Sequence, residues 1–481
     1  MALNNKDFLK SNLVIGGAQV VQMLTTIVRA KIIAILLGSV GMGLNAIFQS
    51  MMLTIYNIAS CGIMQSGVRE ISQNNTEDMT RLGSTLSVFR ILVLLASIVG
   101  FLICFLGAYP LSFISFGDSS NVSSFMILGL GVSFYILTHG EMTILQGRRQ
   151  LVLLAKSSII GSVISLIVCI PCYYYWGNWG IVLSILIGYA LYWLVYRYFR
   201  KKGGTKISPL SLVTAIHQGR SMLTLGVVLM FGTFLVSFFT YLTNISIRIL
   251  GSIQDVGFYQ GAASITTQSI VVIIAILASD FYPRISALTK SRKDLNEAVN
   301  VQLSLVISLI MPIVALLICL APYVVKLLLS EEFLCVVPVL QMMSYSLLFR
   351  GVWITMSYVI LAYGDKKRYL IFDAVLGNGS HYIVNITCYA FGGLVWLGAS
   401  YVIAAFLVCT ILCIVVARFY SFSFSRYTIS LLIIGLLLTG SVLLLYNFNA
   451  YLSMLLALIV CIISVFNLVK KFDIISILKK R

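Results

Sequence analysis

Residues 13–37, LVIGGAQVVQMLTTIVRAKIIAILL, and residues 222–247, MLTLGVVLMFGTFLVSFFTYLTNISI, set the architecture of the chain. Each exceeds the roughly 20 apolar residues that carry a helix across a bilayer core about 30 Å thick. Inside that core the backbone must satisfy its own hydrogen bonds, so only helices or a closed barrel can cross it. Both runs are too long and too uniformly apolar for barrel strands, which number about ten residues and alternate in polarity. Working outward in hydropathy windows, further apolar segments fall near 43–65, 84–107, 122–144, 151–175, 179–199, 257–280, 299–320, 335–361, 370–390, 394–417, 428–447 and 451–469. The expected fold is an all-α polytopic membrane protein of about fourteen transmembrane helices. Composition agrees, since 60% of the 481 residues are hydrophobic and only 10% charged, where a soluble chain carries roughly a quarter charged residues. No cleavage pattern precedes the first segment, which reads as an uncleaved helix.

The net charge of +18 raises nucleic acid as a partner, and the placement of the charges argues against it. With the N-terminus in the cytoplasm, basic residues fall in alternate loops: Arg69 and Arg81, then Arg148, Arg149 and Lys156, then 197–206, 284–293, 366–368, Arg418 with Arg426, and 470–481. This positive-inside asymmetry puts both termini in the cytoplasm, and we expect a multi-pass protein of the bacterial inner membrane. The basic runs read as topology signals and contacts to anionic membrane lipids. Ten cysteines are scattered mostly inside apolar segments without paired spacing, so neither a metal site, a cofactor nor a disulfide framework is expected.

An internal repeat of about 215 residues organises the chain. Leu37-Gly38-Ser39-Val40 recurs as Leu250-Gly251-Ser252-Ile253, and Val68-Arg69-Glu70-Ile71-Ser72 recurs loosely as Pro283-Arg284-Ile285-Ser286. Gly147-Arg148-Arg149 answers Gly364-Asp365-Lys366-Lys367, and Gly177-Asn178-Trp179-Gly180 answers 393–398. Six segments per copy is an even number, so both copies enter the membrane from the same side, as parallel transporter repeats do. The expected organisation is a six-helix lobe over 1–200, a cytoplasmic linker over 201–220, a second parallel six-helix lobe over 221–420, and two additional helices over 421–481.

All but five of the 33 Lys and Arg residues sit at or near the cytoplasmic side in this topology, the exceptions being Arg29, Lys31, Arg248, Lys326 and Arg350. A cation at membrane depth costs roughly 2.5–3.5 kcal/mol on insertion scales and usually faces a wet cavity or a partner. In the first segment Gln19, Gln22, Thr26 and Arg29 form one polar stripe at helical spacing. Lys31 sits about 200° away from Arg29 around that helix, where it can also snorkel to the interface. In the seventh segment Thr233, Ser237, Thr240, Asn244 and Arg248 make a matching stripe. Asn45, Gln49, Tyr56 and Ser60 in the second segment, and Gln260, Ser264 and Gln268 in the eighth, do the same. Purely apolar helices would pack or face lipid, so these stripes predict a shared hydrated cleft lined by Gln22, Thr26, Asn45, Gln49, Asn244, Gln260 and Ser264. Arg350 lies in mid-segment in line with Ser346, Trp353 and Ser357, and His381 shares a face with Asn378 and Asn385; His381 is the candidate coupling residue. Glu141, Asp280 and Asp373 all lie near cytoplasmic ends. The cleft is therefore expected to be net cationic and to favour a phosphate or pyrophosphate cargo.

Through these residues the chain resembles the oligosaccharidyl-lipid flippases of the MOP superfamily, and within it the Wzx-type O-antigen and polysaccharide translocases. The resemblance rests on Gly38-Ser39-Val40-Gly41-Met42-Gly43-Leu44, on Gly62-Ile63 through Gly67-Val68, and on Leu145-Gln146-Gly147-Arg148-Arg149 in the first half. In the second half it rests on Val256-Gly257-Phe258-Tyr259-Gln260 and Tyr282-Pro283-Arg284-Ile285-Ser286. It implies two six-helix lobes around a central cavity that opens alternately to each side. It further implies a cargo of undecaprenyl-pyrophosphate carrying a glycan repeat unit, moved from the cytoplasmic to the periplasmic leaflet. Lys31, Arg248 and Arg350 match the family's cargo-holding cations, and Arg29 joins them from its stripe. The two extra helices resemble those of the lipid II flippase, whereas Tyr259-Gln260-Gly261-Ala262 lacks the charged pair expected there in that relative, which favours a surface polysaccharide unit over lipid II.

Two other classes compete. A multidrug or cation antiporter of the same superfamily would want carboxylates in the first or seventh segment, where this chain has none. A membrane polymerase or ligase would want catalytic groups on a sizeable outer loop, whereas 108–121 and 321–334 offer only Asp118, Lys326, Glu331 and Glu332. The expectation is a non-enzymatic transporter whose partners are the lipid-linked glycan, membrane lipids and other polysaccharide assembly proteins. A proton, a sodium ion, the membrane potential and product withdrawal are all compatible with the sequence as the driving force.

Overall fold

A computed structural model describes residues 5–74, 79–204, 211–276 and 281–472. Asp280, Lys206 and the basic stretch 473–481 lie outside the described residues. Helices account for the regular structure of what is described, with no strand. Two compact units divide between Ile249 and Leu250.

The first unit contains α1 (Asn5–Leu36), α2 (Gly38–Ser60), α3 (Ile63–Gln73), α4 (Met79–Leu106), α5 (Ala108–Phe116), α6 (Val122–Gly147), α7 (Leu151–Trp176), α8 (Trp179–Lys202), α9 (Leu212–Gln218) and α10 (Arg220–Leu250). Within it α8 packs on α6 and α7, α4 on α6, and α1 along α7. Cys61 and Gly62 take left-handed backbone angles, and α2 and α3 meet there at 50°, a bent pair that is together long and apolar enough for one broken span. Only glycine fits at 62: a Cβ would stand 2.1 Å from the Gly226 carbonyl oxygen.

The second unit contains α11 (Ile253–Ile276), α12 (Tyr282–Leu288), α13 (Arg292–Leu328), α14 (Val337–Ala362), α15 (Lys366–Arg368), α16 (Asn378–Tyr420), α17 (Arg426–Phe448) and α18 (Ala450–Phe472). A 3-10 turn (Glu331–Val336) leads into α14, and a π-helical stretch (Tyr369–Gly377) leads into α16. Its core is built where α13, α14 and α16 meet, from Ile307, Ile310, Met311, Val352, Met356, Leu412 and Val416. The α17–α18 pair leans on α13 and adds Leu431, Val442 and Val460 to the same core.

Eleven helices are long and apolar enough to cross a membrane, or twelve when the bent α2–α3 pair counts as one span. One of the eleven runs unbroken by hydrogen bonding from Lys366 to Tyr420, 55 residues, or about 80 Å at 1.5 Å per residue, more than twice a hydrocarbon core. Gly392 and Gly393 interrupt it with non-helical angles, Gly393 at φ 63°. That kink separates the two segments expected at 370–390 and 394–417. Dividing that helix, and adding α11 with its 24 residues, recovers the segments read from hydropathy. The chain is a multi-pass, all-α membrane protein.

The expected lobe boundary and the observed unit boundary differ by one helix. The repeat places the helix over 222–247 at the head of the second copy, whereas α10 is grouped with the first unit. The reason is polar: Asn57 on α2 donates to Ser237 Oγ at 3.0 Å and accepts from Thr233 Oγ1 at 3.0 Å.

Candidate substrate site

In the first unit the polar stripe of α1 turns toward α7 and α8. Arg29 is half-buried and donates from Nη2 to Ser165 Oγ at 2.7 Å, with Tyr173, Tyr189 and Tyr192 around it. Gln22, two turns earlier, lies beside Tyr192, while Thr26 is exposed and returns its hydroxyl to the Gln22 carbonyl at 2.8 Å. Lys31 is half-buried. The tyrosine cluster continues inward: Tyr135 sits edge-on to both Tyr56 and Tyr189 at 4.8 Å, and His139 lies 4.4 Å from Tyr135. Arginine therefore meets a wall of phenols, which supply hydroxyl partners and electron-rich faces without a carboxylate.

The α10 stripe does something different from what its spacing suggests. Asn244, expected to line the cleft, is 1% exposed and donates to Ser50 Oγ at 3.1 Å and to the Ala46 carbonyl at 3.3 Å. Arg248, expected to hold cargo, donates from Nη2 to the Ile114 carbonyl at 3.1 Å, in the last turn of α5. A cation at a helix C-terminus satisfies an orphan carbonyl and the negative end of the helix dipole. Asp118 follows that turn, and its carboxyl is held below the ordinary range by hydrogen bonds from the Ser120 hydroxyl and amide. Of the other cleft candidates, Asn45, Gln49 and Gln260 are half-buried, and Ser264 bonds back to the Gly261 carbonyl of its own helix at 2.8 Å.

In the second unit Arg350 of α14 is half-buried and makes no ion pair among the described residues. Tyr259 of α11 and Tyr401 of α16 lie beside it, with their hydroxyls 2.7 Å apart. His381 completes the group, stacked on Trp353 at 5.6 Å and edge-on to Tyr401 at 5.4 Å. Behind Trp353 the indole donates to Asp373 Oδ1 at 2.6 Å, which also accepts from Ser357 Oγ at 2.5 Å. The structure thus brings Arg350 and His381 together, two residues that the sequence placed on separate segments.

Three features escape a sequence reading. Tyr259 and Tyr401 flank Arg350 although 142 residues part them. Glu141 pairs with Arg200, both buried, at the ends of α6 and α8. Asp373 reaches Trp353 and Ser357 across a helix boundary. Glu141 and Asp373 gave a signal, as acidic residues near cytoplasmic ends; their partners did not.

Comparison with known proteins meets this geometry from outside. The sequence profile of the family described as polysaccharide biosynthesis protein matches residues 32–338, well over half of the chain. The chain belongs to the polysaccharide biosynthesis protein family. Arg29 and Arg350 both lie outside the matched stretch, so family membership alone assigns them no role. No curated protein matches the chain significantly. Among solved structures, a multidrug resistance transporter of the MATE family of the MOP superfamily, inward-facing, is 17% identical with TM-score 0.68, covering 82% of this chain and 95% of that one. The lipid II flippase MurJ, inward closed, is 16% identical with TM-score 0.68, covering 96% and 100%. A MOP superfamily transporter from Pyrococcus furiosus with a binding pocket of reversed polarity is 16% identical with TM-score 0.58, covering 85% and 96%. At these identities the likeness is one of fold, and this member of the polysaccharide biosynthesis family has the fold of MOP superfamily transporters.

Proposed function

We propose that the protein is a flippase of the bacterial inner membrane that carries an undecaprenyl-pyrophosphate-linked oligosaccharide, an O-antigen or other surface polysaccharide repeat unit, from the cytoplasmic to the periplasmic leaflet. Its two duplicated lobes work by alternating access around a cationic central cavity, with both termini in the cytoplasm. Arg350 carries the reading: it is a guanidinium at mid-span with tyrosines around it and no carboxylate paired to it among the described residues. A buried cation without a counter-ion is costly, and an arriving phosphate supplies the missing charge with a planar, bidentate fit. Arg29, held by Ser165, is the matching cation of the first unit, with Lys31 and Arg248 as further candidates. Membership of a polysaccharide biosynthesis family supports a glycan cargo, and the lipid II flippase among proteins of like fold supports a lipid-linked one.

The test is replacement of the chromosomal copy by Arg29→Ala or Arg350→Ala. We expect surface glycan to fall and lipid-linked repeat units to accumulate. Wild-type levels of both in the two strains would remove these arginines from cargo binding.

A further inference from the structure

Inside the second unit two nitrogen-bearing side chains stand together without a committed anion. Arg350 has no ion pair among the described residues, and His381 Nε2 is buried without a hydrogen-bond partner. The His381 ring is fixed between Trp353, nearly parallel at 23°, and Tyr401, steeply inclined at 66°. Arg350 lies close enough to His381 for their charges to interact. The Tyr259 and Tyr401 hydroxyls share a single hydrogen bond of 2.7 Å, which uses one of their two hydrogens and leaves the other able to donate.

Among the described residues, the other titratable groups near His381 have partners of their own. On α14 it meets Arg350 and, through Trp353, the carboxylate of Asp373, which already accepts from Trp353 Nε1 and Ser357 Oγ. Tyr358 and Tyr369 surround that carboxylate rather than the imidazole. On the far side of the α16 kink it meets Tyr401, and through it Tyr259 of α11. Asn385 accepts from Ser400 at 2.7 Å and carries no charge. Among the described residues, the immediate surroundings of His381 thus contain one fixed positive charge and no free negative one.

This arrangement has a definite electrostatic sign. Beside Arg350 in a low-dielectric interior, a second positive charge meets like-charge repulsion while the site is empty. A bound diester of pyrophosphate brings two negative charges and reverses the preference. Building on the reading of Arg350 as the cation that meets the cargo's phosphates, we propose that Arg350 and His381 form one anion site, in which His381 takes up a proton as the pyrophosphate binds. Linkage is reciprocal, so protonation of His381 must tighten the hold on the anion by the same factor. Cargo and proton therefore bind together rather than in exchange.

The purified full chain would be titrated with a short-chain polyprenyl pyrophosphoryl monosaccharide, whose two phosphates are both esterified and do not themselves titrate near neutral pH. We expect wild-type affinity to rise about five- to tenfold from pH 8 to pH 5.5, a coupling of ordinary size. In weak buffer near pH 6.5 the wild type should take up a fraction of a proton per probe bound, at most about half of one for a five- to tenfold coupling, a measurement that needs no variant. His381→Gln should bind at the alkaline wild-type level with no dependence on pH, and Arg350→Gln should lose binding throughout. Binding by the wild type without proton uptake, or a pH dependence that survives in His381→Gln, overturns the shared site while leaving Arg350 as a cargo cation. Undiminished binding by Arg350→Gln overturns both.

Discussion

Ion-paired cations among the described residues include two contrasting kinds, one buried and one exposed. Arg200 is 3% exposed and paired with Glu141, 5% exposed. Removing one partner of such a pair leaves an uncompensated charge in the interior and costs about 3–5 kcal/mol. Glu141→Ala should therefore lower the thermal unfolding midpoint of the purified protein clearly, and an unchanged midpoint would show that the pair is not a stabilising contact. Lys326 and Glu331 form the opposite case, 2.5 Å apart but 62% and 72% exposed, where about 0–1 kcal/mol is the norm. Arg350 and Arg29 belong to neither kind, because tyrosines and a serine hydroxyl surround them instead of carboxylates. From the sequence Arg29 and Arg350 were visible as cations in apolar segments. Their phenolic surroundings were not, because Tyr189 and Tyr401 lie in helices far along the chain and nothing in local spacing links them.

Polar residues at three- and four-residue spacing mean two different things on two helices. On α1 the stripe brings Arg29 to Ser165. On α10 it is adhesive, joining Thr233 and Ser237 to Asn57 and Asn244 to Ser50. Helical periodicity marks one face in both cases and says nothing of what that face meets, so Asn244 could not be assigned by period alone. Hydrogen bonds between membrane helices average about 0.6 kcal/mol and reach about 2. Asn57→Ala, which removes three of them, should lower stability by about 1–2 kcal/mol without abolishing transport, as unfolding and surface-glycan assays would report. The broken span α2–α3 is stricter. Gly62 combines φ 66° with a carbonyl 2.1 Å from where a Cβ would stand, so Gly62→Ala should reduce the folded, membrane-inserted yield; a wild-type yield would mean that α10 can move away at little cost. The kink at Gly392 and Gly393 was readable from paired glycines between apolar runs, whereas the π-helical stretch Tyr369–Gly377 was not, since its residues are ordinary helix formers.

For the chain as a whole, apolar run length gave the all-α membrane class because lipid leaves the backbone few choices. Recurring glycine motifs carry the expected duplication, a statement about sequence. Packing divides the chain at Ile249 and Leu250 instead, one helix later than the expected repeat. The chain belongs to the polysaccharide biosynthesis protein family and shares its fold with MOP superfamily transporters. Mass spectrometry of the lipid-linked intermediates in a strain lacking this protein tests the proposed flipping most directly. We expect undecaprenyl-pyrophosphate-linked repeat units to accumulate while the corresponding surface polysaccharide disappears, and complementation to reverse both. Normal surface polysaccharide together with an unaltered pool of lipid-linked intermediates would show that the protein does not flip this cargo.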